Sequence, residues 1–420
     1  VTQPRASAPV HVSPFQRLAR THAFMAIGDA AMYGALAGSF LLGLSPDAQR
    51  PKVLLYLLVS AAPFAVVAPA IGPTVDRIPG GRRMVMQITA VARALTYLLM
   101  ISHVDDLLLY PLVFVALVMQ KTYAVSKSAL VPSVVRSDHE LVEANSKLSL
   151  MSGVVGAVAI GPLTLLGKAS TTVPLVLGII VFALATVSAR RLPPDVVAAD
   201  PAQREEKAEL RSRGIRAASV AMMCIRACIG FLTFHLLFWL REDFGLAAFG
   251  FAAGASVMGS MAGNVLAPML RRRLREQKML TAALAVIAAA GILAAITGGL
   301  GTAVVLAFVV NFSSSVGRLA FDSIVQRDAP DANQGRAFAQ FETRFQLAWV
   351  LAGLPPVAFT LPGAAGFLVV GLMGLAGVVL YVQGSGRRRR SAPAPQPRRP
   401  RSSPPVPPRR PLPPPTAPTR

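Results

Sequence analysis

Long apolar runs alternate with short polar joints along the chain. Spans are predicted near His22–Leu44, Val53–Ile71, Met84–Ile101, Leu107–Val131, Leu148–Leu166 and Thr172–Ala189. After a longer polar stretch, six more are predicted near Ala217–Leu240, Ala247–Leu270, Met279–Thr297, Thr302–Ile324, Phe338–Leu361 and Ala364–Gln383. A soluble protein would distribute its apolar residues in amphipathic periods, whereas runs of about 20 suit a hydrocarbon core. The pattern predicts an all-α integral membrane protein with about twelve transmembrane helices.

Composition agrees. Of 420 residues, 53% are hydrophobic and 15% are charged, with a mean hydropathy of +0.54. A globular protein would carry roughly a quarter charged residues. The formal net charge of +22 suggests a nucleic-acid partner until its placement is read. Ten of the basic residues follow Gly386, and most others fall in alternate loops. That is the positive-inside pattern, so both termini are expected in the cytoplasm and no nucleic acid is expected as a partner. Residues 1–20 form a polar cytoplasmic segment, 21–189 a first set of six spans, and 190–216 a cytoplasmic linker rich in Pro, Glu and Arg. Residues 217–383 form a second set of six, and 384–420 a Pro/Arg-rich tail that cannot bury enough apolar surface to fold. The tail reads as a solvated topology anchor, or as a patch drawn to anionic lipid at ~1 kcal/mol per basic residue. The first apolar run is full-length for a span, so no cleavable signal peptide is expected. The expected location is a bacterial inner membrane, multi-pass, with the lipid bilayer as partner and the chain as a monomer.

Between the second and third spans lies the turn Gly72-Pro73-Thr74-Val75-Asp76-Arg77-Ile78-Pro79-Gly80-Gly81-Arg82-Arg83. It resembles a signature of the major facilitator superfamily, carried here by Gly72, Asp76, Arg77, Gly81, Arg82 and Arg83. Ile78-Pro79-Gly80 precedes the second glycine, a stretch two residues longer than in that pattern. The resemblance implies the fold of that superfamily and a loop that latches the cytoplasmic ends of helices in the outward-open state; plain topology signalling is the alternative. In the fifth span, Ala157 with Gly161 and Pro162 resembles the superfamily's antiporter motif, with Ala in place of its first glycine. Close helix packing of small residues explains the same spacing. Leu130-Val131-Pro132 and Ala144-Asn145 resemble a loop of bacterial exporters of drugs, macrolides and siderophores.

The two sets of spans look like copies. A shift of 194 places Ala129-Leu130-Val131 on Ser323-Ile324-Val325 and Pro162 on Pro356 (129 + 194 = 323; 162 + 194 = 356). Within a residue, the same shift lays Arg77–Arg83 over Arg271-Arg272-Arg273-Leu274-Arg275. Parallel six-helix pseudo-repeats with a substrate site between them follow as the expectation.

Ionisable groups at membrane depth cost about 2.5–3.5 kcal/mol on insertion scales, so they face partners or wet cavities. Asp29 lies roughly 10 Å into the first span and Arg93 roughly 13 Å into the third. Lys121, Arg226, Glu342 and Arg344 also fall at membrane depth; Lys127, Arg318 and Asp322 lie closer to the span ends. Asp29 is the candidate for proton coupling, because a carboxylate alternately wet and paired with a cation changes its proton affinity during a cycle. A static ion pair with Arg93, Lys121 or Arg226 is the alternative. Arg226 is expected to line the cavity, and Lys127 to snorkel to the interface. Glu342 and Arg344, two apart on a helix, point to different faces. The deep cations outnumber the carboxylates, which favours an anionic or neutral solute.

No Gly-Lys-Ser/Thr phosphate loop is present, so ATP hydrolysis is not expected. Cys224 and Cys228 read as packing residues, His235 as a packed histidine, and neither a metal nor a cofactor is expected. The expected function is a secondary active transporter, not an enzyme, that rocks two halves about a small-molecule site. Proton-coupled export of a drug, metabolite or siderophore leads. Nutrient uptake, an uncoupled facilitator, and a lipid flippase-like or non-transporting protein stay as alternatives.

Overall fold

The computed structural model describes residues 13–36, 81–104, 106, 108–135, 137, 140–192, 213–328 and 334–390. Among these residues the regular structure is eleven helices. The first half holds α1 (Pro14–Ala35), α2 (Gly81–Ser102), α3 (Leu109–Val134), α4 (Leu141–Ala169) and α5 (Thr172–Ala189). The second half holds α6 (Arg213–Phe244), α7 (Leu246–Arg273), α8 (Glu276–Thr297), α9 (Gly299–Asp328), α10 (Gln334–Ala358) and α11 (Gly363–Arg390). The predicted span Val53–Ile71 lies outside the described residues. Nine of the eleven helices are long and apolar enough to cross a membrane, with mean hydropathies from 1.2 to 2.5. The other two are α1 and α10, which carry Asp29, Glu342 and Arg344.

Several helices outrun the apolar stretches that announced them. The first begins at Pro14, not His22, because Ser13 caps it: the Ser13 hydroxyl accepts from Gln16 N and the Gln16 side chain reaches back to Ser13 N. Helix α4 takes in the polar residues from Leu141 onward, and α11 continues to Arg390, since no proline intervenes before Pro393. Hydropathy marks the part of a helix that suits hydrocarbon; the hydrogen-bond ladder runs on until a breaker stops it. Between α8 and α9 the stop is Gly298-Gly299, both at positive φ (65° and 83°), where a side chain would be strained.

Each half has a core, and that of the second extends onto Val125 and Ala129 of α3 and Val142 of α4. In the first, α1 packs on α4 and α5, and α2 on α3 and α5. Met25, Met32, Tyr97 and Phe182 are buried there. In the second, α7 packs on α9, α8 on α9 and α11, and α6 on α9, α10 and α11, around Phe321, Phe338, Phe345 and Phe367. Small residues set the closest approaches: a Cβ on Gly259 would strike the Phe308 carbonyl, and one on Gly230 the Trp349 carbonyl. In a bilayer, where apolar burial does not drive helices together, such close packing does much of the holding. Cys224 and Cys228 are free thiols in this core, and His235 stacks between Phe231 and Trp239. Contact between the halves runs through α3 and α4 of the first and α7, α9 and α10 of the second.

Candidate functional site between the halves

Six charged side chains converge where the halves meet. Lys121 and Lys127 of α3, Arg226 of α6, Arg318 and Asp322 of α9, and Glu342 of α10 line a cavity of about 270 Å³. The helix period explains the convergence: Lys121, Ala124 and Ser128 share one face of α3, and Arg318 and Asp322 stand one turn apart on α9. Arg318 is held by both carboxylates, with its Nε 2.9 Å from Asp322 and its terminal nitrogen paired with Glu342. Lys127 and Arg226 form no ion pair among the described residues. Four cations against two carboxylates give the lining a formal charge of +2.

The first half contains a second buried charge site. Arg93 of α2, fully enclosed, pairs with Asp29 of α1, and its guanidinium lies 4.3 Å from the centre of the Phe182 ring on α5. Tyr97, one turn along from Arg93, donates to the Gly28 carbonyl at 2.8 Å. Nearby, His22 Nδ1 and the Tyr123 hydroxyl lie 3.0 Å apart and tie α1 to α3. Neither Asp29 nor Arg93 lines the cavity between the halves.

At the end of the bundle that carries the basic joints, buried polar groups cross from half to half. Asn145 Nδ2 of α4 donates to Gln326 Oε1 of α9 at 2.6 Å, and Gln326 Nε2 donates to the Ser128 carbonyl of α3 at 2.9 Å. Ser146 Oγ donates to the Asn264 carbonyl of α7. Asn145, Ser146 and Gln326 are buried, so these bonds are made out of water's reach, where a lost partner is costly. The basic joints themselves grip helix ends within each half. Arg82 donates to the Ala129 carbonyl at 3.1 Å and Arg83 to the Leu192 carbonyl at 3.3 Å. In the second half, buried Glu276 is paired with Arg271 at 2.7 Å and Arg327 at 3.2 Å.

The sequence-derived candidates therefore divide. Lys121, Arg226 and Glu342 come together in the cavity, and Asp29 and Arg93 come together apart from it. Arg344 is exposed on the other face of α10, 5.9 Å from the Phe341 ring. Lys127 faces the cavity and not the membrane interface, because its place on the α3 face, beside Ala124 and Ser128, outweighs its nearness to the helix end. Of the turn, Gly81, Arg82 and Arg83 open α2, while Gly72, Asp76 and Arg77 lie outside the described residues. Ala157, Gly161 and Pro162 are exposed on α4, and a Cβ at Gly161 would meet nothing within 4 Å among the described residues. Close packing on α4 occurs instead at Gly167, which abuts the Gly34 backbone of α1. Gln326, Ser146 and Asn264 were not anticipated. Their only sequence signal is an uncharged polar group near the end of an apolar run, which is common and easily passed over.

Comparison with known proteins places this arrangement. Residues 21–353 match the family model of the Major Facilitator Superfamily. An uncharacterized protein of Mycobacterium leprae is 27% identical over 401 residues, covering 85% of this chain and 69% of its own length. An uncharacterized protein of Mycobacterium tuberculosis is 34% identical over 140 residues, 32% of this chain and 25% of that protein. Among solved structures, the E. coli fucose:proton symporter FucP superposes with a TM-score of 0.71 at 13% identity, covering 88% of this chain and 98% of its own. A bacterial homologue of the iron transporter ferroportin, outward-facing, gives 0.66 at 17% (89% and 100% covered), and the human organic anion transporter TETRAN 0.65 at 16% (88% and 99% covered). At those identities the superpositions speak for the fold, and the family model covers most of the chain. This chain belongs to the major facilitator superfamily, whose members are membrane transporters and not enzymes.

Proposed function

We propose that the protein is a proton-coupled exporter of a small molecule that works by alternating access in a bacterial inner membrane, as a monomer with both termini in the cytoplasm. The observation that carries the reading is the separation of two charged sites: the Asp29–Arg93 pair inside the first half and the charged cavity between the halves. A coupling carboxylate apart from the substrate cavity can change its protonation as the halves rock without competing for the solute. A scaffold would gain nothing from bearing the insertion cost of these groups. Orientation follows from charge. Arg17, Arg83 and Arg191 gather at one end of the first half through Arg17 to the Arg191 carbonyl and Arg83 to the Leu192 carbonyl, and the positive-inside rule puts that end in the cytoplasm. On this reading the Asn145–Gln326 bond joins the halves at the cytoplasmic end, as an outward-facing state requires.

Export rather than uptake is supported by the likeness of Ala157, Gly161 and Pro162 to an antiporter motif. A second reading, an uncoupled facilitator, is favoured by one observation: Arg93 is fully enclosed, as suits a static pair that joins α1 to α2. Flux into inside-out vesicles separates the two. Under an imposed proton gradient, wild type accumulates a transported solute, and Asp29→Asn, normalised to folded protein, keeps equilibration but loses the gradient-driven part. Equal accumulation with and without the gradient would remove proton coupling and leave the facilitator.

A further inference from the structure

The cavity between the halves holds more positive charge than its own acids balance. Asp322 and Glu342 are both engaged with Arg318. Lys127 and Arg226 enter the same space with no carboxylate at ion-pair distance among the described residues, and Arg226 Nε is buried without a hydrogen-bond partner. Arg226 lies near the middle of α6, too deep to reach the bilayer surface. A cation at that depth with no direct ion pair among the described residues is costly, and an anion entering the cavity would offset that cost. The two cations stand on α3 and α6, which belong to opposite halves. A ligand held by both would therefore tie its own binding to the position of the halves.

We propose that this cavity binds a small dianion, a dicarboxylate or a phosphate monoester, with Lys127 and Arg226 as its counter-ions. The assignment rests on the transport reading and names the substrate class of its cavity. The surplus of +2 (four cations less two carboxylates) is what two negative charges cancel. Arginine offers a flat fork of donors that fits a carboxylate or phosphate in bidentate fashion, and lysine adds a point charge. A volume of about 270 Å³ lies just under the range of drug-sized pockets, roughly 300–1,000 Å³, and suits a compact solute.

The test is thermal unfolding of the purified full chain in detergent, titrated with succinate, glycerophosphate and the neutral isostere succinamide. Succinate or glycerophosphate should raise the unfolding midpoint in a saturable way, and succinamide should not. A response to succinate alone assigns dicarboxylates, and a response to glycerophosphate alone assigns phosphate esters. Lys127→Gln and Arg226→Gln should each raise the half-saturating concentration about tenfold or more, and Arg226→Lys should recover part of that. The same two glutamine variants should unfold, without ligand, no lower than wild type, because an uncompensated cation is removed. If Arg226→Gln does not fold, Lys127→Gln decides. Equal stabilisation by succinamide, unaltered binding in Lys127→Gln, or no saturable effect of either dianion at millimolar concentration would overturn the assignment. Flux separates it from the transport reading. Accumulation of a neutral solute with no dianion binding sinks the dianion alone; saturable dianion binding with no flux in either direction sinks transport alone.

Discussion

The molecule buries charge in two ways. In the first half, fully enclosed Arg93 meets one aromatic face and one half-buried carboxylate, and the site is neutral as a unit. Between the halves, Arg318 meets two carboxylates while Lys127 and Arg226 meet none among the described residues, and the site carries a surplus. Removing two charges from water is costly, and their attraction recovers that cost only when geometry and number match. A matched pair can hold helices together or titrate as one unit. An unmatched, cavity-facing set calls for a mobile counter-ion. The same fold therefore contains one charge site that is matched within the protein and another whose lining carries a surplus.

The largest expected effect comes from unmatching the matched site. Asp29→Ala leaves Arg93 buried alone, and the loss of stability should be about 3–5 kcal/mol, read as a drop in unfolding midpoint and in folded yield. Replacing both partners, Asp29→Leu with Arg93→Leu, should recover most of that loss. An Asp29→Ala variant as stable as wild type would mean that the pair is wet and not part of the first half's core. Glu342→Gln offers the contrast. Arg318 keeps Asp322 at 2.9 Å, so the loss should be smaller, about 1–3 kcal/mol. Equal losses at the two sites would erase the distinction between a matched pair and a cavity cluster.

A smaller effect is expected at the polar seam between the halves. Gln326→Leu removes the hydrogen bonds to Asn145 and to the Ser128 carbonyl and should cost about 1–2 kcal/mol. That loss should fall on one conformation rather than on the fold as a whole. With Cys224 and Cys228 replaced by Ala, an Ala124→Cys reporter in the cavity lining should react faster with a membrane-impermeant maleimide from the basic end once Gln326→Leu is present. Unchanged reactivity would show that other contacts keep the halves together there.

How far the sequence announced these sites follows from what each rests on. Span existence was legible because about 20 apolar residues in a row have few other uses. Helix starts and ends were less so, since Ser13 with Gln16 and the long run to Arg390 depend on local capping and on the absence of breakers. Depth could be read for Asp29, Arg93 and Arg226 from the rise per residue, and charge at depth singled them out. Which of them meet could not, because rotation about each helix axis is set by packing between halves. So Lys127, expected at the interface, ends in the cavity, and Arg344, expected at membrane depth, ends exposed outside it. The shift of 194 was also only half the matter. It pairs Arg82 with Glu276 (82 + 194 = 276), and the two grip equivalent helix ends by opposite chemistry, a guanidinium on the Ala129 carbonyl and a carboxylate on Arg327.

The smallest expected effect separates packing from motion in α4. Gly259 on α7 shows what a packing glycine looks like: an added Cβ strikes the Phe308 carbonyl, so Gly259→Ala should cost about 1–3 kcal/mol, because a backbone carbonyl cannot move aside. Gly161, in the stretch that resembles an antiporter motif, meets nothing within 4 Å among the described residues. Gly161→Ala should then be neutral or slightly stabilising, by about 0.5–1 kcal/mol, since alanine loses less backbone freedom in a helix. If stability holds and solute exchange slows, the glycine is retained for bending next to Pro162 as the halves rock. If stability falls as it does for Gly259→Ala, a neighbour packs on this face, and the motif is a contact surface like any other.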